Sequence, residues 1–248
     1  MTSHRNDQSN ADSRPGNDHN ALVIPGQSQT GIPLFVIPGT AAGRNPESTT
    51  GDDFEYSMIQ QPHLKHIDTR LPGVCVIEPV VHGDARGYFF ESFHTQKYAE
   101  LGIDAHFVQS NVSRSACGVL RGLHYQWPHP QGKLVTVLDG EVYDVAVDIR
   151  RGSPGFGQWE AAMLTADNHR QLWIPEGFAH GFCVVSDAAT FMYQCTALYD
   201  PAADAGVRWN DAAIGIDWPV AEPLLSAKDR ETPFLAEVPE DRLPVYAA

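Results

Sequence analysis

The stretch G-V-L-R-G-L-H-Y-Q (118–126), followed by L-V-T-V-L-D-G-E-V-Y-D-V-A-V-D (134–148), decides the fold class. Leu134, Thr136 and Leu138 alternate with Val135 and Val137. Beyond Asp139-Gly140 the alternation resumes, with Val142, Asp144, Ala146 and Asp148 set against Tyr143, Val145 and Val147. A period of two marks a strand, because successive side chains leave opposite faces of the pleat. Asp-Gly between two such runs tolerates the positive φ of a tight turn and predicts a β-hairpin. The same stretch sets one imidazole, His124, between Arg121 and Lys133. A guanidinium, an imidazole and an ammonium on neighbouring strands predict a pocket for an anionic substrate that loses a proton.

Working outward, residues 71–198 are dense in short strands. Val74, Val76 and Glu78 begin one, residues 83–87 (G-D-A-R-G) make a turn, and residues 88–93 are aromatic and β-prone. Residues 95–101 form the best helix candidate, with Thr95 as cap, Tyr98 and Leu101 three apart, and Gly102 as a stop. Further strands are predicted over 106–112, 159–164, 171–174, 181–185 and 190–198, with a Pro/Gly loop at 152–157. Residues 201–213 read as a loop with a turn of helix, and 219–248 as irregular and punctuated by proline. About nine or ten short strands and one short helix predict an all-β sandwich or barrel. Residues 1–68 differ from the rest, being rich in Asn, Asp, Ser, Gly and Pro with no sustained period. They predict a disordered extension, the alternative being that the apolar island at 21–39 docks as an edge strand. Residues 69–248 then form the folded domain.

The formal charge of −14 over 248 residues argues against nucleic acid or an anionic membrane as partner. Cys75, Cys117, Cys183 and Cys195 show no C-x-x-C pairing and read as small buried hydrophobes. No apolar run approaches the roughly 20 residues of a membrane helix. The N-terminal residues lack a charged segment followed by an apolar one, so the expected location is the cytoplasm.

Two glycine-marked segments fit the double-stranded jelly-roll barrel of the cupins. P-E-G-F-A-H (175–180) matches the P-x-G-x-x-H turn of the second cupin motif. The first motif supplies H-x-H for a metal, but here the place reads Leu123-His124-Tyr125-Gln126. His124 and His180 alone make an incomplete set of ligands, so a metal-free barrel is expected. Its mouth is where a small ligand binds.

A lone histidine beside apolar residues is usually structural, and the company of His124 changes that reading. Arg121, three residues earlier, falls on the opposite face of a regular strand, so the chain must bend at Gly122 to bring the two together. Lys133 follows the Gln131-Gly132 loop and can return to the same mouth. Imidazole is the natural base for a carbon acid at neutral pH, and an ammonium is what an enolate oxygen requires. Such a base needs its other ring nitrogen held by a carboxylate, which local spacing does not identify.

The chain resembles the dTDP-4-dehydrorhamnose 3,5-epimerase family. The resemblance runs nearly continuously over residues 73–229. It is carried by G-D-A-R-G-Y-F-F-E-S-F (83–93), F-V-Q-S-N-V-S (107–113), G-V-L-R-G-L-H-Y-Q (118–126) and Q-G-K-L-V (131–135). It continues through G-E-V-Y-D-V-A-V-D-I-R (140–150), S-P-G-F-G-Q-W (153–159) and R-Q-L-W-I-P-E-G-F-A-H-G-F (170–182). W-N-D-A-A-I-G-I-D-W-P (209–219) and L-S-A-K-D (225–229) complete it.

What the resemblance implies is a base, His124, oriented by Asp229, with Tyr193 as the acid on the far face of the sugar and Lys133 near the keto oxygen. It implies that Arg86 and Arg121 hold the diphosphate, with planar guanidinium forks matched to paired oxygens. Phe90, Glu91, Gln109 and Asn111 match positions lining the nucleotide and sugar site, and Tyr199 an aromatic packed on the thymine. Asp144 and His180 match pocket positions near the sugar. The long N-terminal extension is not a family feature. The implied substrate is dTDP-4-dehydro-6-deoxy-D-glucose, inverted at C3 and C5 with no redox cofactor and no metal. The implied assembly is a homodimer that swaps strands at the barrel edge. Single-centre epimerisation in a natural-product pathway, or a sugar-nucleotide-binding cupin without activity, remain as alternatives.

Overall fold

The computed structural model describes residues 63–247. Most of the expected extension, residues 1–62, lies outside the described residues. In chain order come β1 (Lys65–Asp68), β2 (Cys75–Glu78), β3 (Val81–Asp84), β4 (Gly87–Phe90) and helix α1 (Thr95–Glu100). Then follow β5 (Gln109–Ala116), β6 (Leu120–Gln126), β7 (Lys133–Asp139) and β8 (Glu141–Asp148). β9 (Trp159–Thr165), β10 (Gln171–Ile174), β11 (Phe178–Val184), β12 (Ala188–Cys195) and β13 (Asp204–Gly206) complete the strands, before helix α2 (Ala227–Glu231). Residues 65–68, read from sequence as the end of the extension, therefore form an edge strand paired with β2.

Two sheets face each other in a cupin-type jelly-roll barrel. One has the order β1-β2-β10-β7-β12-β5 and the other β13-β6-β11-β8-β9, while β3 and β4 form a separate two-stranded sheet. Between them lies a cluster of Val135, Val137, Val142, Ala146, Leu172, Phe178, Phe182 and Phe191. Phe182 and Phe191 stack across the interior at 4.1 Å between ring centroids. The outer face of the first sheet is covered by α1 and its flanks, with Tyr98 and Ile103 on Cys75, Ile77 and Leu134. The outer face of the second is covered by the C-terminal segment, through Ile214, Leu235, Val238 and Leu243 on Leu123, Val145 and Val147. The tail read as irregular is thus a lid on the barrel wall.

The hairpin predicted at Asp139-Gly140 does not form. β7 pairs with β10 and β12, whereas β8 pairs with β11 and β9, so the two runs lie in opposite sheets. Gly140, at φ +78°, turns a corner between sheets, and a Cβ there would lie 2.0 Å from the Ala188 carbonyl oxygen. Asp139-Gly140 does turn the chain, and long-range pairing decides where the turn leads. β12 matches β5 over eight residues and β7 over six, and those ladders outweigh a local hairpin. Both faces of β7 are buried, Val135 inward and Leu134 outward under α1, so its alternation does not separate core from solvent. Two smaller expectations also shift. The cap of α1 is His94, whose Nδ1 accepts from Lys97 N–H, rather than Thr95. The loop at 201–213 contains β13 rather than a helical turn.

Candidate active site

His124 and Arg121 share a face because β6 carries a bulge. On the neighbouring strand β11, His180 lies opposite His124 and Phe182 opposite Arg121, with a register shift between. One residue of β11, Gly181, therefore faces two of β6, which returns residues three apart to the same side. Gly122, at φ +127°, makes this possible; a Cβ there would fall 2.5 Å from Gly181 Cα and 2.8 Å from the His180 carbonyl oxygen. Leu123 turns outward into the cluster under the C-terminal segment. Arg121 Nε donates to Ser115 Oγ on β5 at 3.1 Å, reaching the facing sheet. The bend expected at Gly122 is present.

The carboxylate that holds His124 comes from α2. His124 Nε2 lies 2.5 Å from Asp229 Oδ1. The Asp229 side chain is 4% exposed, against 33% for His124. Ser226 caps the helix: its Oγ accepts from Asp229 N–H at 3.1 Å and donates to Asp229 Oδ2 at 2.8 Å. Both carboxylate oxygens are therefore occupied. Burial pushes the Asp229 carboxyl up, but the His124 hydrogen bond and charge outweigh it, with help from Ser226 and Lys228, and hold the group below its ordinary value. A carboxylate on Nε2 keeps the proton there and leaves the lone pair on Nδ1, the tautomer of a base.

A second pair sits deeper. His180 Nε2 is 3.1 Å from each oxygen of Asp144 on β8, and both residues are buried. Burial pushes the Asp144 carboxyl up and the His180 imidazole down, each toward its neutral form, against their mutual attraction. The His180 ring lies nearly parallel to Phe191, 6.1 Å away. Lys133 opens β7 opposite Cys195 and is also buried. Burial pulls its ammonium below the ordinary lysine value, opposed by Cys195, Asp144 and Asp204.

Tyr193 lies on β12, opposite Asn111 of β5 and Val135 of β7, and packs against the interior cluster. It belongs to the sheet facing that of His124. Burial raises its phenol above the ordinary value, so the hydroxyl keeps its proton at neutral pH. Gln109 Nε2 donates to Asn111 Oδ1 at 3.1 Å, and Gln109 Oε1 accepts from Tyr199 N–H at 2.8 Å. The Tyr199 hydroxyl donates to Asp204 Oδ2 at 2.9 Å.

Thus His124, held by Asp229, and His180, held by Asp144, stand on one sheet, and Lys133, Tyr193, Asn111 and Gln109 on the sheet that faces it, with Tyr199 joined to Gln109 at the start of β5 and Arg121 to Ser115 near its end. Three residues do not join them. Arg86, Phe90 and Glu91 lie on or beside the separate β3–β4 hairpin, which bonds to neither large sheet. Arg86 is paired with Asp84 two residues away, Glu91 with Lys97, and Phe90 packs near Tyr88 and His169. Among the described residues the hairpin's ladder is internal, and no hydrogen bond or ion pair joins these three to His124, Lys133 or Tyr193. Sequence reasoning also missed Ser226, Gln126 and Asp204. Ser226 had a signal, since S-A-K-D (226–229) is an S-x-x-D helix start; the other two act through contacts distant in sequence. Among the described residues no group of three His, Cys, Asp or Glu side chains could hold a metal ion.

The family model for dTDP-4-dehydrorhamnose 3,5-epimerase matches residues 68–237. The chain is 55% identical over 165 residues to the dTDP-4-dehydrorhamnose 3,5-epimerase of Shigella flexneri, covering 66% of this chain and 91% of that protein. The Salmonella typhimurium enzyme of the same name is 54% identical over 172 residues, covering 68% and 94%. The crystal structure of the Legionella pneumophila dTDP-6-deoxy-D-glucose-3,5-epimerase in complex with dTDP-4-keto-L-rhamnose superposes with a TM-score of 0.74 at 51% identity, covering 75% of this chain and 100% of that one. With the barrel, the His124–Asp229 pair and these matches together, the chain belongs to the dTDP-4-dehydrorhamnose 3,5-epimerase family.

Proposed function

We propose that this chain inverts C3 and C5 of dTDP-4-dehydro-6-deoxy-D-glucose, giving dTDP-4-dehydro-L-rhamnose, with His124 as base and Tyr193 as acid. The C4 ketone acidifies the hydrogens on both neighbouring carbons. Nδ1 of His124 takes one of them, and the resulting imidazolium is balanced by Asp229. The electron pair moves to O4, where the Lys133 ammonium meets the enolate charge. Tyr193 returns a proton to the opposite face and is reprotonated from solvent, while the imidazolium of His124 gives its proton to solvent and is again a base. Repeating the cycle at the second carbon completes the reaction. Protons alone move, so the sequence is redox-neutral. The observation that carries this reading is the pairing of His124, on one sheet, with Asp229 of α2, while Tyr193 stands on the sheet that faces His124.

Arg121 and the Gln109–Asn111–Tyr199 group would receive the diphosphate and the base. The hairpin supports a homodimer. Tyr88 and Phe89 are 57% and 67% exposed on it, beside Arg86, Phe90 and Glu91, and an apolar, charged arm of this kind fits insertion beside the site of a second copy. Incubation with the keto sugar in deuterium oxide, read by NMR, tests the function. Deuterium at both C3 and C5 is expected. Label at one carbon selects a single-centre epimerase, and no label removes the enzymatic reading.

A further inference from the structure

One carboxylate, Asp204, ties together two parts of the site that the mechanism treats separately. Its Oδ2 accepts from the Tyr199 hydroxyl at 2.9 Å and from Lys228 Nζ. Asp204 opens β13 opposite Gln126, and two residues on, Gly206 lies opposite His124. Lys228 immediately precedes Asp229 on α2. Adjacent side chains of one short helix therefore grip the two ends of the same strand pair, Lys228 at Asp204 and Asp229 at His124. A helix of five residues has no orientation of its own, since helices so short are unstable without external contacts. The helix also lies close on β13: a Cβ at Gly206 would come within 2.7 Å of Thr232 Cγ2, at the C-cap of α2.

The other arm of the tie is equally fixed. Gln126 donates to the Leu198 carbonyl oxygen at 3.1 Å and accepts from Asp200 N–H at 2.9 Å. With Gln109 on Tyr199 N–H, the backbone on both sides of Tyr199 is pinned, and its ring is left to swing about the side-chain torsions alone. The phenol's bond to Asp204 stops that swing. No other hydrogen bond to the Tyr199 hydroxyl is found among the described residues.

Building on the function proposed above, we infer that Asp204 is a positioning residue that sets, through Lys228, the aim of Asp229 at His124 and, through Tyr199, the aromatic surface that meets the nucleotide. Misplacement of a catalytic group by about 1 Å can cost on the order of 100-fold in rate, so a tie of this kind reads out in kcat as well as in binding. Two features separate it from a merely structural role. Asp204→Asn keeps an acceptor for Tyr199 but discharges the partner of Lys228, so it lowers kcat more than it raises KM. Tyr199→Phe breaks only the other arm, so it raises KM and the Kd for dTDP by a larger factor than it lowers kcat.

The test measures dTDP binding by calorimetry, turnover of the keto sugar, and the low-field NMR resonance of the His124 Nε2 proton. The set comprises wild type, Asp204→Asn, Asp204→Glu, Tyr199→Phe and Lys228→Met, each checked for an unchanged thermal melt. Asp204→Asn and Lys228→Met are both expected to shift or broaden the imidazole resonance and to lower kcat about tenfold, a modest part of the loss that misplacement can bring. Asp204→Glu is expected to recover part of that kcat. An unchanged resonance and a kcat within about twofold in both Asp204→Asn and Lys228→Met, well inside the cost of a misplaced group, would overturn the inference. The resonance and dTDP binding need no turnover, so the tie is decided even if the keto sugar proves not to be the substrate.

Discussion

The barrel interior and the β3–β4 hairpin both carry residues that the family resemblance assigns to the site, and the fold treats them oppositely. Inside the barrel the two imidazoles are held by carboxylates remote in sequence, Asp229 for His124 and Asp144 for His180. Arg121 is held by Ser115 of the facing sheet. On the hairpin the partners are local and exposed, Asp84 for Arg86 and Lys97 for Glu91. Solvent screens such pairs, so a diphosphate can replace them at little cost. On the function proposed, the reacting groups are preorganised by one chain, while the hairpin's charged groups are free to exchange partners when a nucleotide binds.

The contrast can be broken at either side. Asp229→Asn removes the charge that steadies the imidazolium and should lower kcat by about 100-fold or more, on the order of 3 kcal/mol, with dTDP binding retained in calorimetry. Gly122→Ala attacks the bulge that aims His124. Its Cβ would meet backbone at 2.5 Å, so thermal or urea unfolding should show a loss of about 3 kcal/mol, the upper range for overpacking. On the arm, Arg86→Ala should leave the fold intact and weaken dTDP binding about tenfold, as loss of a charge-assisted contact does. If the hairpin serves a second copy, mixing Arg86→Ala with a variant inactive at His124 should restore activity in the mixed dimers. Recovery absent from a mixture shown to exchange subunits would confine the arm to its own chain.

The pH dependence follows from the same groups. Asp229 has its folded value below the ordinary one, so its contribution to stability is present above the unfolded pKa and is lost as pH falls toward the folded value. Thermal melts should therefore drop through the acid side of the carboxylate range, and less so in Asp229→Asn. Lys133 titrates below the ordinary lysine value, so activity should fall on the alkaline side earlier than for an exposed lysine. Asp144 opposes that lowering, and Asp144→Asn should move the alkaline limb to still lower pH.

Much of this was legible in the chain. The alternation at 134–148, the dense short strands from residue 71 to 198 and the P-E-G-F-A-H turn point to the barrel, and the conflict between Arg121 and His124 on a regular strand requires the bend found at Gly122. What failed had a common cause. Asp139-Gly140 predicts a hairpin because local turn chemistry is visible in sequence, whereas the ladders from β12 to β5 and β7 that override it join residues far apart. Asp229 could be found only through the family resemblance, since neighbours Lys228 and Arg230 give it the look of a solvated helix face. The position of Arg86, Phe90 and Glu91 apart from the cluster could not be read at all, because nothing in a strand's sequence states which sheet it joins.

Deuterium uptake at C3 and C5 in His124→Ala, measured at a dTDP-sugar concentration that calorimetry shows to be saturating, tests the central claim most directly. Uptake at neither carbon, with binding close to wild type, is the predicted result. Uptake at the wild-type rate would contradict it and transfer the base to another group, His180 foremost.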